Sequence, residues 1–186
     1  MRAFEAFPKW EEHTDDPCKV WNCDRDDRMV TKAQTIFKIP FEQVVEYMKD
    51  PLLIKSIMTD QVQKAEVLYD NQEVKVVFIK MEGTGPVSSR EMVVVSTVYQ
   101  EGDKKVFIGN RSCDYPCKLA DPDSVRAFVH VGGFVLEAVD ANSTRVTAYN
   151  DVDMKGMIPG FIKNQMSKRR ASNIVALEEK IKKNQK

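Results

Sequence analysis

The residues able to react are few and scattered. His13 and His130 are the material for general acid–base work, and Asp151 and Asp153, two apart on one side of a strand, allow paired-carboxylate chemistry. A histidine on a strand, as His130 is, more often satisfies its neighbours than moves protons. No GxSxG elbow, HExxH helix or phosphate-binding glycine loop occurs. Cys18 and Cys23 form a CxxxxC pair and Cys113 and Cys117 a CxxxC pair, neither being the CxxC knuckle of structural zinc sites. They read as reduced structural thiols, with a Cys113–Cys117 disulfide open to an oxidising compartment. No metal, cofactor or catalytic residue is expected.

Recognition by isolated polar groups on apolar faces is the chemistry left. On one strand Ser96 shares its parity with Met92, Val94 and Val98; near the end of another, Tyr149 and Asn150 offer polar tips, of which one can face inward. In the C-terminal segment Phe161, Ile162, Gln165, Met166 and Arg169 share a broad helical face. These eleven residues are the candidate ligand contacts. The same apolar stripes serve equally as packed core, and the nine methionines as gap filling.

The elements that must position them follow from periodicity. A helix over Arg2 to Glu12 precedes a short strand at Lys19 to Cys23 and a half-buried strand with Met29, Thr31, Ala33, Thr35, Phe37 and Ile39 on one face. After Pro40, the residues Phe41, Val44, Val45 and Met48 stand at i, i+3, i+4 and i+7, which predicts a short amphipathic helix ending before Pro51. Hairpins then join Val62–Leu68 to Glu73–Met81 and Arg90–Tyr99 to Lys105–Cys113. Ser124–Val131, Phe134–Val139 and Thr144–Val152 continue the meander, with Gly132-Gly133 read as a turn. Pro159 opens a final helix of about 25 residues carrying Ile174, Leu177 and Ile181. The expected class is α+β, with about nine antiparallel strands curling around that helix. At 186 residues, with 42% hydrophobic and 30% charged, the chain fits one domain over 1–186.

Three stretches resemble the START domains, the lipid-transfer modules related to steroidogenic acute regulatory protein. They are Ser89-Arg90-Glu91-Met92-Val93-Val94, then Val125-Arg126-Ala127 followed by Gly132-Gly133, and Val152-Asp153-Met154-Lys155-Gly156-Met157-Ile158-Pro159. The last matches the family's Asp-Leu-x-Gly-x-Ile/Leu-Pro, with the right spacing to the terminal helix. Glu91 replaces the usual Asp, no Trp-Asp pair follows the second helix, and Ser96 stands where sterol-binding relatives carry an Arg. The resemblance implies a helix-grip fold whose sheet and final helix enclose a tunnel for one lipid. It also implies a gating loop, for which Gly83, Gly85 and Val87 are candidates, a solvated surface loop being the other reading. Arg90 and Arg126 read as structural, bound to acids or carbonyls, because an isolated buried guanidinium is too costly.

A lipid carrier needs an apolar cavity and a gate more than reactive groups, since each exposed methylene costs about 0.8 kcal/mol in water. The expected function is therefore non-catalytic binding and intermembrane transfer of one phospholipid, sphingolipid or sterol. A lipid-responsive sensor with an unidentified protein partner is the alternative, and a helix-grip cyclase or hydrolase a further one. Lys plus Arg equals Asp plus Glu at 28 each, so nothing in the charge points to nucleic acid. Eight basic residues from Pro159 onward, against Glu178 and Glu179, are a candidate surface for peripheral contact with anionic membranes. The absence of a spanning segment, signal core or coiled-coil seam gives the expectation of a cytoplasmic monomer.

Overall fold

The computed structural model describes residues 10–14, 18–25, 28–58, 60–156 and 160–184. Among these, ten strands join one sheet in the order β1-β2-β3-β10-β9-β7-β6-β5-β4, with β8 beside β6. The strands are β1 (Glu11–Thr14), β2 (Lys19–Arg25), β3 (Arg28–Phe37), β4 (Val62–Asp70), β5 (Val74–Met81), β6 (Arg90–Glu101), β7 (Lys105–Ser112), β8 (Val125–Arg126), β9 (Phe128–Asp140) and β10 (Ser143–Asp153). The helices are α1 (Phe41–Met48), α2 (Leu53–Ile57) and α3 (Gly160–Lys183). All pairings are antiparallel except β6 with β8.

Period-2 alternation builds β3 as expected and runs two residues past its end: Thr31, Ala33, Phe37 and Ile39 are buried while Ile36 and Lys38 are exposed. α1 buries Phe41, Val44, Val45 and Met48, the residues its 3.6 period selects, and ends before Pro51. Three expectations are corrected. Glu11 and Glu12 lie in β1, not at the end of a helix; the rest of that stretch, residues 2–9, falls outside the described residues. α2 is an additional helix of five residues, too short to show a period. Gly132-Gly133 is no turn: β9 runs straight through it for 13 residues.

Gly133 explains that continuity. Its φ is +128°, and a Cβ there would stand 1.9 Å from the Ile108 carbonyl oxygen, so β7 and β9 approach at a point where no side chain fits.

The inward face of the sheet carries two apolar clusters. The larger joins Ile174, Leu177 and Ile181 of α3 to Phe41, Val44 and Met48 of α1, and to Val20, Ala33, Val106, Leu136 and Val146 of the sheet. The other joins Val77, Ile79, Met92, Val94 and Val129, with Ile54 of α2 and Met58 packed against them. On the outer face, the loop between β7 and β8 covers Val76, Phe78 and Val93. Lys118 holds it down by stacking 3.9 Å from the Phe78 ring centroid and pairing with Glu66 at 3.1 Å.

Candidate functional site

Between the two inner clusters lies a cavity of about 410 Å³, bounded by the sheet, α1, α2 and α3. Its wall is mostly aliphatic and thioether side chains, with Met48, Met58, Met81, Met92 and Met154 among them. Such a volume falls in the usual range for small-molecule sites, about 300 to 1,000 Å³.

Strand register places a single polar row across the floor. Asn150 of β10 pairs with Thr31 of β3 on one side and Gly132 of β9 on the other. Gly132 pairs with Asn110 of β7, which pairs with Ser96 of β6. All five residues border the cavity. The row is also a boundary. On β10, Val146 and Ala148 belong with the larger cluster and Val152 with the other, with Asn150 between them. Val106 and Ile108 precede Asn110 on β7, and Val94 precedes Ser96 on β6, in the same way. An amphiphile laid along the cavity would meet apolar wall, then polar row, then apolar wall.

Ser96 is buried, and among the described residues neither its hydroxyl nor the Asn110 amide makes a side-chain hydrogen bond. Polar atoms facing an apolar cavity hold their full hydrogen-bonding capacity for an occupant. Gly132 leaves a notch in the row: a Cβ there would come within 3.7 Å of Asn150 Oδ1 and 3.9 Å of Asn110 Cβ.

Of the contacts expected from the sequence, Met92, Val94, Ser96, Asn150 and Arg169 are brought together at the cavity. Val98 shares their strand face but is 42% exposed and does not border it, because β6 runs out past the cavity's edge there. Tyr149 borders the cavity, yet its side chain packs with Val30 and Val135 on the sheet's outer face, as its opposite parity to Asn150 requires. The side chains of Phe161, Ile162, Gln165 and Met166 lie outside the described residues. Sequence reasoning missed Thr31, Asn110 and Asn173 as cavity residues; parity with Val106 and Ile108 was a usable signal for Asn110.

The expected gate loop is a tight hairpin, closed by Thr84 N–H donating to Val87 O at 2.9 Å and Val87 N–H to Thr84 O at 3.1 Å, with Gly85 at φ +58° in its turn. Gly83, Gly85 and Val87 do not border the cavity; Met81, at the loop's base, does. Arg90 ties this loop to the approach to α3. Its guanidinium donates to Ser88 O, to Met154 O at 3.2 Å and to Lys155 O at 3.0 Å. Burial lowers its pKa from the ordinary arginine value. The approach is itself bent, with Lys155 and Gly156 both at positive φ and Asp153 Oδ1 accepting from Lys155 N–H at 2.9 Å. The Lys155 ammonium beside Asp153 holds that carboxyl below its usual range.

Arg126, the other arginine read as structural, donates from Nε and Nη2 to Glu91 Oε1 at 2.9 and 2.7 Å. Asp121 N–H donates to the same oxygen at 3.0 Å, so Glu91 pins the long outer loop to β6. None of the four cysteines is in a disulfide, and no cluster of three metal-ligating side chains occurs among the described residues. Asp151, paired with Arg28 at 3.0 Å, is committed to an ion pair. No helix among the described residues is long and apolar enough to cross a membrane.

The sequence matches the START domain family model over residues 26–185. No curated protein sequence matches the chain. Among solved structures, the human StAR-related lipid transfer protein 5 is similar with a TM-score of 0.85 at 16% identity, covering 100% of this chain and 92% of that one. Human STARD10 is similar with a TM-score of 0.80 at 19% identity, covering 97% and 77%. The StAR-related lipid transfer protein from Xanthomonas axonopodis is similar with a TM-score of 0.75 at 20% identity, covering 93% and 98%. At these identities the likeness is one of fold, and it is the helix-grip arrangement expected from the sequence.

Proposed function

The chain belongs to the START domain family, and from that membership we propose that it binds one lipid between its sheet and α3 and carries it between membranes. The observation that carries this reading is the apolar cavity of about 410 Å³ with one polar row across its floor. Apolar walls replace water around the lipid's hydrocarbon, and Ser96, Asn110 and Asn150 satisfy its polar function, since an unpaired polar atom inside would be costly. No step of bond chemistry is needed, so the protein acts as a carrier and not as an enzyme. The whole chain serves as one lipid-binding unit.

Entry requires that α3 or the hairpin at Gly83–Val87 move. Ile174, Leu177 and Ile181 fasten the C-terminal half of α3 in the larger core, so that half stays in place. Arg90 couples the approach to α3 with the hairpin by holding Ser88, Met154 and Lys155 together. We assign the protein to the cytoplasm, with transient contact at membrane surfaces.

Native mass spectrometry of the protein purified from a eukaryotic host, followed by denaturing lipid extraction, tests the reading. One co-purified lipid per chain is the expected result. A clean unliganded mass that no sterol, phospholipid or sphingolipid shifts would overturn it. Transfer of the extracted lipid between donor and acceptor vesicles then separates carrier from sensor.

A further inference from the structure

Among the described residues, four cationic side chains border the cavity: Arg28, Lys49, Lys155 and Arg169. Three are paired with carboxylates: Arg28 with Asp151 at 3.0 Å, Lys155 with Asp153 at 2.7 Å, and Lys49 with Glu46 at 3.4 Å. Arg169 is different. Among the described residues it has neither an ion pair nor a hydrogen bond, although it is partly buried. Asn173, one helical turn on, also borders the cavity and also lacks a side-chain hydrogen bond among the described residues. Leu177, a further turn along the same face, is part of the larger core, so the face that presents these two groups is fixed from its C-terminal side.

From this arrangement we propose that the ligand is an anionic amphiphile, its carboxylate, sulfate or phosphate received by Arg169 and Asn173 on α3. The inference rests on reading the cavity as a lipid site. A guanidinium keeps its charge at every physiological pH, and leaving it at an apolar cavity without a counter-ion is costly. Its planar fork matches the two oxygens of a carboxylate or phosphate, and the Asn173 amide supplies another donor on the same side. The polar row of the sheet is uncharged at Thr31, Asn150, Asn110 and Ser96, so it suits a hydroxyl or carbonyl elsewhere on the molecule.

The test uses two matched pairs that differ in charge and share their apolar part: oleate with oleyl alcohol, and cholesterol sulfate with cholesterol. Equilibrium binding of radiolabelled probe is measured below its aggregation threshold, for the parent protein, Arg169→Gln and Arg169→Lys. The expected result is that the anionic member binds about tenfold more tightly in at least one pair. Arg169→Gln removes that preference, so that the two members of a pair then bind with similar affinity, and Arg169→Lys retains part of it. Equal affinity within both pairs, or a preference that survives Arg169→Gln, overturns the anion seat and leaves the lipid cavity standing. If none of the four probes binds, the anion seat is overturned, and native mass spectrometry with phospholipid and sphingolipid decides whether the cavity reading falls with it.

Discussion

Neighbouring glycines in β9 should respond in opposite ways to the same added methyl group. At Gly133 an alanine Cβ would stand 1.9 Å from the Ile108 carbonyl oxygen and 2.9 Å from its carbon, with φ at +128°. The backbone conformation alone costs an L-residue about 1 to 3 kcal/mol. Relieving the contact also requires β7 and β9 to part at the fifth pair of a six-pair ladder. Gly133→Ala is therefore expected to lose about 4 kcal/mol or more, which for a chain of this size is roughly 8 to 16 °C in Tm. At Gly132 the nearest atom to an added Cβ is Val129 Cγ1 at 3.4 Å, an ordinary contact. Gly132→Ala should fold with stability within about 1 kcal/mol of the parent, helped by the smaller entropy of its unfolded chain. Its methyl would instead fill the notch between Asn110 and Asn150 and lower affinity for the co-purified lipid about tenfold, or about 1.4 kcal/mol. Thermal denaturation followed by lipid titration reads both effects. Comparable Tm losses at the two positions would refute the β7–β9 register, and a Gly132→Ala protein that binds as the parent does would remove the polar row from the binding site.

Arg90→Gln should cost about 3 kcal/mol, because the carbonyls of Met154 and Lys155 lose their charged donor; faster protease cleavage near Lys155 would accompany the fall in Tm. Arg126→Ala should destabilise by about 3 kcal/mol in urea unfolding, since it leaves Glu91, fully buried, without its counter-ion. The double change Arg126→Ala with Glu91→Gln should recover part of that loss, and an unchanged urea midpoint in the single variant would show the pair to be idle. Burial pushes the Cys18 thiol up to about 11 from 9.0. The unfolded chain releases that proton first, so stability should fall between about pH 9 and 11, by at most about 2.7 kcal/mol for this group. Comparing the parent with Cys18→Ala across that window isolates the effect from other alkaline titrations, and parallel curves would contradict it.

What the sequence disclosed was set by how local each signal is. Periods of two and 3.6 are written within single elements, which is why β3, α1 and the C-terminal half of α3 fall where their apolar spacing puts them. α2 escapes because five residues hold no measurable period. Gly132-Gly133 misled for a more instructive reason. The pair reads locally as a turn, whereas its necessity comes from β7, more than 20 residues away, whose Ile108 carbonyl occupies the place of a side chain. Val98 fell out of the site for a similar cause: parity assigns a face, but only neighbouring elements decide how far along a strand the cavity extends.

The polar row makes the same point about function. Ser96 and Asn150 were each visible as polar residues on apolar faces, and Asn110 could have been found by the rule that found Ser96. Nothing in the sequence aligned them, because β3 lies beside β10 and β7 beside β9, non-consecutive neighbours determined by the closing of the whole sheet. Once aligned, Thr31, Asn150, Asn110 and Ser96 form a band one residue wide, with Ala148 and Val152 on either side of Asn150, and Ile108 and Val94 beside Asn110 and Ser96. Each member can change in size or donor pattern without altering the alternation that builds its strand. On the proposed reading, a ligand's polar function, at a fixed depth in the cavity, would be selected by one register position on each strand, while the aliphatic and methionine walls would accommodate its length and shape. On the same reading, Arg169 adds a charge from the opposite element, so head-group choice would be divided between the sheet and α3.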